Sequence, residues 1–448
     1  MSLSSIEILA SLPSGAFIFI GLLLAIIPIG FSFRAHRRKR IIDHTPTSKV
    51  RGIFMGLVEV KGTAEVGYPL RSFLAEQFCV YYDFSVREHW SRIVRETYRD
   101  SEGRTRTRTR RESGWSTVAS DKQMLPFYLK DETGAVLVDP YGASITADTV
   151  FDQHCTRGDW LYYGKGPAHS VSNSDHRRHF VEKAILLHRP LYTIGQAFER
   201  EDIVAPMIGH HTRAPFFMIS TKREESISQS YSLQYWLLGI LGAVLAVGGA
   251  IFSLASGANA EPGNSFCVPL LGAGVYLFAW LVGSAWISYN SMITLRNRVN
   301  QAYSNVEVQL KRRHDLIPNI VRVVKAYQRH ERETFELISN LRSQANATKP
   351  GLAGDDPKAV APTLRALVEA YPDLKANQQF GKLQQSLIKT EQRIALAREY
   401  YNDIVAFYNR QIQVVPDNYL AKFANLKPEK FIEASNFERQ PVEINFQN

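Results

Sequence analysis

The segment Phe266–Ile287, FCVPLLGAGVYLFAWLVGSAWI, decides how this chain is built. It carries no charge and is long enough to cross about 30 Å of hydrocarbon as a helix. Two other runs have the same character, Gly15–Phe33 and Tyr235–Ala255, and none of the three contains Asp, Glu, Lys, Arg or His. The sequence therefore predicts three transmembrane helices, of which the last two form a hairpin. A transporter or channel is disfavoured because a polar path needs ionisable groups in the spans, although an oligomer could still enclose one.

The first run can also be interpreted as a cleaved secretory signal. No Lys or Arg precedes it, and no small-residue cleavage site follows it. A basic cluster comes directly after it, which is typical of a retained anchor rather than of a signal peptide. The cluster comprises Arg34, Arg37, Arg38, Lys39 and Arg40. We therefore expect an uncleaved first span.

Positive charge also predicts the orientation, because cytoplasmic loops carry the excess of Lys and Arg. Lys222 and Arg223 precede the second span, and Arg296 and Arg298 follow the third. With the basic cluster after the first span, these residues place the N-terminus outside and both large domains in the cytoplasm. Membrane anchoring explains most of the net charge of +10. Anionic lipids are therefore expected partners, and nucleic acid is not.

The three spans divide the chain into domains. At 448 residues, with 45% apolar and 21% charged residues, it is globular in composition and too long for one domain. We predict an α+β membrane protein with three transmembrane helices, a β-rich cytoplasmic domain and a C-terminal antiparallel helical bundle. The predicted parts are an anchor at 1–33, a basic linker at 34–49, a β-rich domain at 50–230, a transmembrane hairpin at 231–288 and the bundle at 289–448.

Short alternating or apolar runs between turn signals predict strands between Val50 and Ile219. Asp131–Gly134 has the composition of a hairpin turn between two of them. A small barrel or sandwich is the natural architecture for such strands. The strand candidates are Gly52–Val66, Phe78–Val86, Pro126–Asp131, Ala135–Pro140, His179–Leu187 and Pro215–Ser220.

This region resembles the GIDE domain of membrane-bound ubiquitin ligases. The residues that carry the resemblance are Gly52–Val66, Cys79–Tyr82, Pro126–Asp131 with Gly134, and Val138–Pro140. Ligases of that family act through a RING, which needs a close array of Cys and His around zinc. The three cysteines, Cys79, Cys155 and Cys267, are scattered. The resemblance therefore implies the domain without the machinery of a ligase.

No residue pattern predicts catalysis, a cofactor or a metal site. His154-Cys155 and His210-His211 are candidate ligands, but their spacing fits no standard zinc pattern. Cys155 is no better as a nucleophile, because the side chain of the adjacent His154 need not face it. We therefore expect surface or core roles for these residues.

A basic repeat, RTRTRTRR, lies inside the β-rich region. In an extended strand its arginines and threonines point to opposite faces. Contact with an acidic lipid headgroup or an acidic partner is one interpretation, and a solvated excursion of the sheet is the favoured one. The basic residues are Arg104, Arg106, Arg108, Arg110 and Arg111.

From Asn290 onward the apolar spacing becomes helical. Leu295, Val299, Ala302, Val306 and Leu310 follow steps of four and three, and a second stretch begins at Ile317. A third stretch has a coiled-coil-like register with Gln411 as its polar exception. Its members are Leu383, Leu387, Thr390, Ile394, Ala397, Tyr401, Ile404, Tyr408 and Val415.

The helical region closely resembles the LemA family of bacterial membrane proteins. The residues that carry the resemblance are Tyr289-Asn290, Val308–Arg313, Asp315–Asn319, His330-Glu331, Thr390-Glu391, Ala397–Asn402, Tyr408-Asn409, Val415-Pro416 and Phe431–Phe437. The resemblance implies a helical bundle in the bacterial inner membrane. It implies no reaction, since that family has no established catalytic activity.

Polar residues of these motifs invite an active-site interpretation, but a structural network is favoured. Glu391, Arg398, Asn402 and Asn409 form one stripe on a helix, and Glu331 falls on the apolar stripe of its own helix. A buried carboxylate needs a partner, so we expect Arg398 or an Asn to pair with Glu331. A ligand or metal site between helices is the alternative. Asp315, Pro318 and Asn319 are expected to break the helix, because Pro318 lacks the helical N–H.

These features favour a non-enzymatic, self-associating membrane scaffold. The expected partners are membrane lipids, further copies of the chain and an unidentified protein. The alternative is a ubiquitin-ligase-like modifying protein, which rests on the GIDE resemblance alone.

Overall fold

The computed structural model describes residues 14–99, 104–200, 205–212, 214, 216–256, 267–326 and 378–432. The chain divides into two compact units. The β unit comprises Thr47–Glu224, and the helical unit comprises Met1–Pro46 together with Glu225–Asn448. The β unit overlaps the β-rich domain predicted at 50–230, and the predicted domain bounds stay a prediction.

The β unit contains twelve strands, one short α-helix and one 3₁₀ turn (Val50–Gly52) among its described residues. The strands are β1 (Gly56–Glu65), β2 (Leu70–Arg71), β3 (Phe78–Arg99), β4 (Thr105–Met124), β5 (Phe127–Lys130), β6 (Ala135–Val138), β7 (Ser144–Thr146), β8 (Asp148–Thr156), β9 (Ser174–Leu186), β10 (Pro190–Glu199), β11 (Pro206–Gly209) and β12 (Met218–Ser220). Helix α2 spans Trp160–Gly164.

Five strands close into a small barrel. Their order is β1-β5-β6-β11-β10, and β10 pairs again with β1, while β12 and β7 extend the sheet from β10. The barrel has a continuous apolar core that includes Val60, Leu129, Val138 and Ile208, all fully buried. Asp131 closes the β5–β6 hairpin by accepting the N–H groups of Thr133 and Gly134. The predicted hairpin and the predicted strands at Gly52–Val66, Pro126–Asp131 and Ala135–Pro140 are therefore present in the barrel, and the strand at Pro215–Ser220 lies on its extension. The strands predicted at Phe78–Val86 and His179–Leu187 lie in a second sheet.

A second sheet contains the basic repeat. Its order is β2-β3-β9-β8, and β4 pairs with the long strand β3 as a hairpin. One face packs over a second core that includes Tyr82, Phe84, Phe180 and Tyr162. The far half of the hairpin is exposed on both faces from residue 104 to 111, so no core constrains the sequence there.

The helical unit contains five described helices. They are α1 (Ser14–Asp43), α3 (Glu224–Ser256), α4 (Cys267–Ala326), α5 (Gln378–Gln411) and α6 (Asp417–Phe423). Three of them, α1, α3 and α4, contain stretches that are long and apolar enough to cross a membrane. Each stretch overlaps one of the three predicted runs. Helix α4 continues for 60 residues, well past the end of its apolar run.

The three apolar helices meet in one polar layer and one tight crossing. Ser32 on α1 donates to the carbonyl of Tyr235 on α3 and accepts from the indole N–H of Trp280 on α4. At Gly21 the backbone of α1 lies close to that of α3, since a Cβ added to Gly21 would lie 2.8 Å from the Cα of Gly249. Small residues therefore allow the backbones of these helices to approach.

Other glycines of the apolar helices lie against aromatic side chains instead of a helix backbone. Gly239 accommodates Trp280, Gly242 accommodates Tyr276, and Gly283 accommodates Phe33. Gly248 and Gly274 have open space around the position of a Cβ. Only some of the glycines in these runs are therefore packing positions.

Gly242→Leu is expected to destabilise the helical unit. Its side chain would collide with the hydroxyl of Tyr276, which donates to the carbonyl of Gly239 at 2.9 Å. Overpacking of this kind costs about 1–3 kcal/mol. Thermal unfolding of the full chain in mild detergent measures the change. Gly248→Leu is the matched control, because this exposed position has no neighbour to displace; equal unfolding temperatures for the two variants would contradict the packing.

The lower half of α4 packs against α5 as an antiparallel pair. Leu295, Val299, Ala302, Val306 and Leu310 are all buried, as their spacing predicts. On α5 the predicted register is equally clear. The buried members are Leu387, Thr390, Ile394, Ala397, Tyr401, Ile404 and Tyr408.

The predicted helix break at Asp315–Pro318 is wrong. Helix α4 continues through Pro318 to Ala326. The side-chain amide of Asn319 donates to the carbonyl of Asp315 at 3.1 Å, so the motif supplies an extra donor next to the proline. Burial of Ile317 and Ile320 on the bundle face stabilises the helix on both sides.

The predicted register also extends too far at its C-terminal end. Helix α5 ends at Gln411, and Val415 lies beyond it with 64% of its surface exposed. Pro416 cannot donate a helical N–H, and the chain turns there into α6. Glu331, the predicted buried carboxylate, lies outside the described residues.

Candidate functional site

Two asparagines of α5 hold the extended segment Lys427–Ile432, and we call them the asparagine clamp. The side chain of Asn409 donates to the carbonyl of Glu429 at 2.8 Å and accepts its N–H at 2.9 Å. Asn402 makes the same pair of bonds with Ile432, both at 2.9 Å. Each amide therefore satisfies a backbone donor and acceptor as a neighbouring strand would.

The tyrosine before each asparagine reinforces the clamp. The Tyr401 hydroxyl donates to the carbonyl of Lys430 at 2.9 Å, and the Tyr408 hydroxyl donates to that of Lys427 at 3.0 Å. Burial raises the pKa of both hydroxyls, so they remain donors. The repeated Tyr-Asn pairs, seven positions apart, lie two turns apart on one face of α5.

The other predicted polar residues lie nearby but do not join the clamp. Glu391 forms an ion pair with Arg313 of α4, with 3.3 Å between Nε and the carboxylate. Arg398 is buried, with 6% of its surface exposed. The expected pairing with Glu331 stays a prediction. Asn402 and Asn409 use their amides on the backbone, and their role in the described structure is therefore architectural.

Asn409→Ala is expected to release the segment Lys427–Ile432. The substitution leaves the N–H and carbonyl of Glu429 without their side-chain partner, at a cost of about 1–3 kcal/mol. Hydrogen–deuterium exchange of the full chain in detergent should show about tenfold or greater loss of protection in that segment. Arg410→Ala, at an exposed neighbouring position, is the control. Unchanged exchange in Asn409→Ala would contradict the clamp.

A buried polar network, which we call the junction, ties α1, α4, α5 and α6 together. Arg40 of α1 donates to the carboxylate of Asp417 at 2.9 Å, and both side chains are largely buried. Gln411 donates to the other oxygen of Asp417 and lies 3.1 Å from Nε2 of His44. Nδ1 of His44 lies 3.0 Å from the hydroxyl of Ser291. Gln411, the polar exception of the predicted register, is therefore a junction residue.

The junction requires a neutral His44. Burial, followed by the charge of Arg40, lowers the pKa of His44 to about 4. A neutral imidazole has one donor and one acceptor nitrogen. Because the amide nitrogen of Gln411 is used on Asp417, its oxygen accepts from Nε2–H, and Nδ1 accepts from Ser291. Every link then has a donor and an acceptor in the correct order.

In the β unit, the structure brings together one group that could hold a metal ion. Asp152 and His154 on β8 and His179 on β9 place their ligand atoms within 4.8 Å of one another. Sequence spacing could not show this, because His179 pairs with His154 across the sheet. Two imidazoles and a carboxylate are zinc ligand types.

The same group is also explained without an ion. Nε2 of His179 lies 2.8 Å from Asp152, and the rings of His154 and His179 stack at 3.9 Å with the edge of Trp115 nearby. Parallel stacked rings direct their nitrogen lone pairs side by side rather than to one point. The expectation that the chain holds no metal stays a prediction.

Sequence reasoning did not identify the buried ion pair between Arg178 and Glu88 in the β unit. Arg178 and Glu88 are both fully buried and pair at 3.1 Å. Burial alone would raise the pKa of Glu88, but hydrogen bonds from Ser174, Tyr162 and Arg178 lower it below its ordinary value. Arg178 also donates to three backbone carbonyls. A buried pair with all its groups bonded is a structural element, and alternation gives no signal for it.

The described cysteines are poor nucleophiles. Cys79 and Cys155 are buried, and burial raises the pKa of both thiols, that of Cys79 to about 11. A nucleophilic or metal-binding cysteine needs its thiolate form near neutral pH. These two positions therefore lack the electrostatics of a catalytic site.

Comparison with known proteins finds a matching family model for each of the two regions. Residues 302–446 match the LemA family model, and residues 95–254 match the GIDE model, described as E3 ubiquitin ligase. Magnetosome proteins MamQ 1 and MamQ 2 of Paramagnetospirillum magneticum are each 27% identical over 191 residues, covering 36% of this chain and 68% of the relative. Protein LemA of Metamycoplasma hominis is 25% identical over 179 residues, covering 39% of this chain and 80% of its own length.

The LemA match covers the lower part of α4, all of α5, the clamp and α6. It therefore includes the residues from which the resemblance was inferred, apart from Tyr289-Asn290. The GIDE match covers most of the second sheet and part of the barrel, and extends into α3. The C-terminal part of this chain is a LemA family domain.

Proposed function

We propose that this chain is a multi-pass, non-enzymatic protein that organises the bacterial inner membrane. The observation that carries the proposal is the change of surface along α4. Leu271, Phe278 and Leu281 expose 61–71% of their surfaces, whereas Met292 and Leu295 further along are buried in the bundle. An exposed apolar surface of this extent needs lipid or a partner. One continuous helix thus joins a lipid-compatible segment to the LemA family domain.

Charge supports the proposed orientation. Basic residues follow α1's apolar stretch, precede that of α3 and follow that of α4. The positive-inside rule then places the N-terminus outside and both large units in the cytoplasm. Lipids are the proposed partners of the apolar helices.

Self-association is supported by the outer faces of the bundle. Val308 on α4 and Ile388 on α5 expose 60% and 46% of their surfaces, which leaves apolar side chains for a second copy. Relatives named as magnetosome proteins are compatible with a role on membranes. We propose a homo-oligomeric scaffold without a cofactor and without a nucleic-acid partner.

The basic repeat remains a secondary contact. Residues 104–111 are exposed on the β3–β4 hairpin, which suits an acidic lipid headgroup or an acidic partner. Arg108 lies opposite Glu96, and Arg92 pairs with Glu112 at 2.9 Å. Glu96 therefore lies where it can offset the charge of Arg108, whereas Glu112 is paired with Arg92 outside the repeat; the nearby carboxylate favours the solvated interpretation.

A ubiquitin-ligase-like function is the second candidate, favoured only by the GIDE match. The chain has three cysteines in total, which cannot supply the array of a two-zinc RING. The described Cys79 and Cys155 are buried. We therefore rank this function below the scaffold.

The mass of the full chain in mild detergent tests self-association. Light scattering should give a uniform particle of several 50.7-kDa chains, and electron microscopy of the same sample should show a symmetric assembly. A monodisperse single chain would contradict the scaffold and redirect attention to a captured partner.

Val308→Glu sharpens this test. A charge on that exposed apolar position should shift the assembly toward smaller particles, because desolvating a charge in an interface is unfavourable. Lys311→Ala changes a neighbouring exposed residue without placing a charge there, and should leave the mass unchanged.

A further inference from the structure

Helix α6 forms the end of the bundle that lies nearest to the apolar helices. Helix α5 runs antiparallel to α4, since Glu391 contacts Arg313 and Tyr401 contacts Tyr303. The end of α5, at Gln411, therefore reaches the level of Ser291 through His44. After α6 the chain returns along α5 from Tyr408 to Asn402. Residues 412–426 are thus the turning point of the bundle.

The position of this turning point can be compared with the end of the predicted third span, because α1 and α4 are in register. Helices α1 and α4 run parallel, with Ser32 contacting Trp280 and His44 contacting Ser291, at offsets of 248 and 247 positions. The same offset places Arg40 beside Ser288, one residue past the predicted third span. Asp417, the first residue of α6, pairs with Arg40 at 2.9 Å. The predicted third span ends at this level, whereas the predicted first span ends at Phe33, seven residues before Arg40. Helix α6 therefore begins within about 10 Å of the predicted boundary of the hydrocarbon, on the cytoplasmic side.

Helix α6 has one buried and one exposed face. Asp417 and Ala421 are buried against the bundle. Tyr419 and Phe423, four positions apart and hence on one side of the helix, expose 66% and 93% of their surfaces. Val415, just before the helix, exposes 64%. The large apolar side chains are thus the ones that the bundle leaves uncovered.

The surroundings of this face are basic. Lys422, Lys427 and Lys430 are exposed on and just after α6, whereas the acidic Asp417 is neutralised by Arg40. Aromatic side chains with flanking lysines are typical of a helix that lies in the interface between headgroups and acyl chains. Lysines there also favour anionic lipids.

We propose that Val415, Tyr419 and Phe423 form a membrane foot, through which the LemA family domain inserts into the cytoplasmic surface of an anionic bilayer. The foot and the apolar helices contact the same membrane. The junction holds α6, which carries the foot, in a fixed orientation relative to α1. The proposal rests on the proposed membrane function and adds a second contact with lipid, outside the spans.

Spin labels on the full chain in vesicles of phosphatidylethanolamine and phosphatidylglycerol test the foot. Single cysteines replace Tyr419 or Phe423, and Gln385→Cys, an exposed polar position at the far end of the bundle, is the control. Labels in the foot should show a several-fold higher ratio of oxygen to nickel-chelate accessibility than the control, because oxygen partitions into lipid and the chelate stays in water.

The other outcomes overturn the foot in distinguishable ways. Equal chelate accessibility at positions 423 and 385 would show that α6 lies in water. Low accessibility to both reagents would show that protein covers α6, from this chain or a second copy. Leu281→Cys, in the exposed apolar part of α4, reports on the membrane proposal itself. A lipid-like signal there with a water-like signal at 423 refutes the foot alone, and water-like signals at both refute the membrane function.

Discussion

The continuity of α4 is the constraint on which the rest of the helical unit depends. Its 60 residues form one helix, about 90 Å long at 1.5 Å per residue. The first part exposes Phe278 and Leu281, and the second part buries Leu295 and Val299. Water cannot solvate the first part favourably, and the second part needs α5 to cover its apolar stripe. A single continuous helix therefore joins an exposed apolar segment to a segment that α5 covers.

The junction and the asparagine clamp fix the positions of α1, α6 and the segment Lys427–Ile432 relative to α4 and α5. Arg40 and Asp417 are costly to bury separately, so they pair, and this pair fixes α6 against α1. His44 stays neutral, accepts a hydrogen bond from Ser291 at Nδ1 and donates one from Nε2 to Gln411. Further from the junction along α5, Asn402 and Asn409 hydrogen-bond to the backbone of the segment Lys427–Ile432. These polar contacts specify geometry that apolar packing alone would leave free.

Much of this architecture could be predicted from periodicity, and the remainder depends on contacts distant in sequence. The uncharged runs, the helical stripe from Leu295 to Leu310 and the β5–β6 hairpin each have a local signal. Pro318 was misleading because flanking buried isoleucines outweigh one missing N–H. The pairing of Arg178 with Glu88, ninety positions apart, and of His179 with His154 follows from strand register. Spacing identified the Asn stripe but not the backbone that it binds.

The distance between two spin labels on α4 tests the central claim most directly. Leu281 and Val308 are both exposed, one on each side of the predicted membrane boundary. In a background lacking the three native cysteines, labels at these positions should give a narrow distribution near 40 Å, the length of a continuous helix over that interval. A markedly shorter or broad distribution would show that α4 is interrupted, and would contradict the rigid connection between the apolar helices and the LemA family domain.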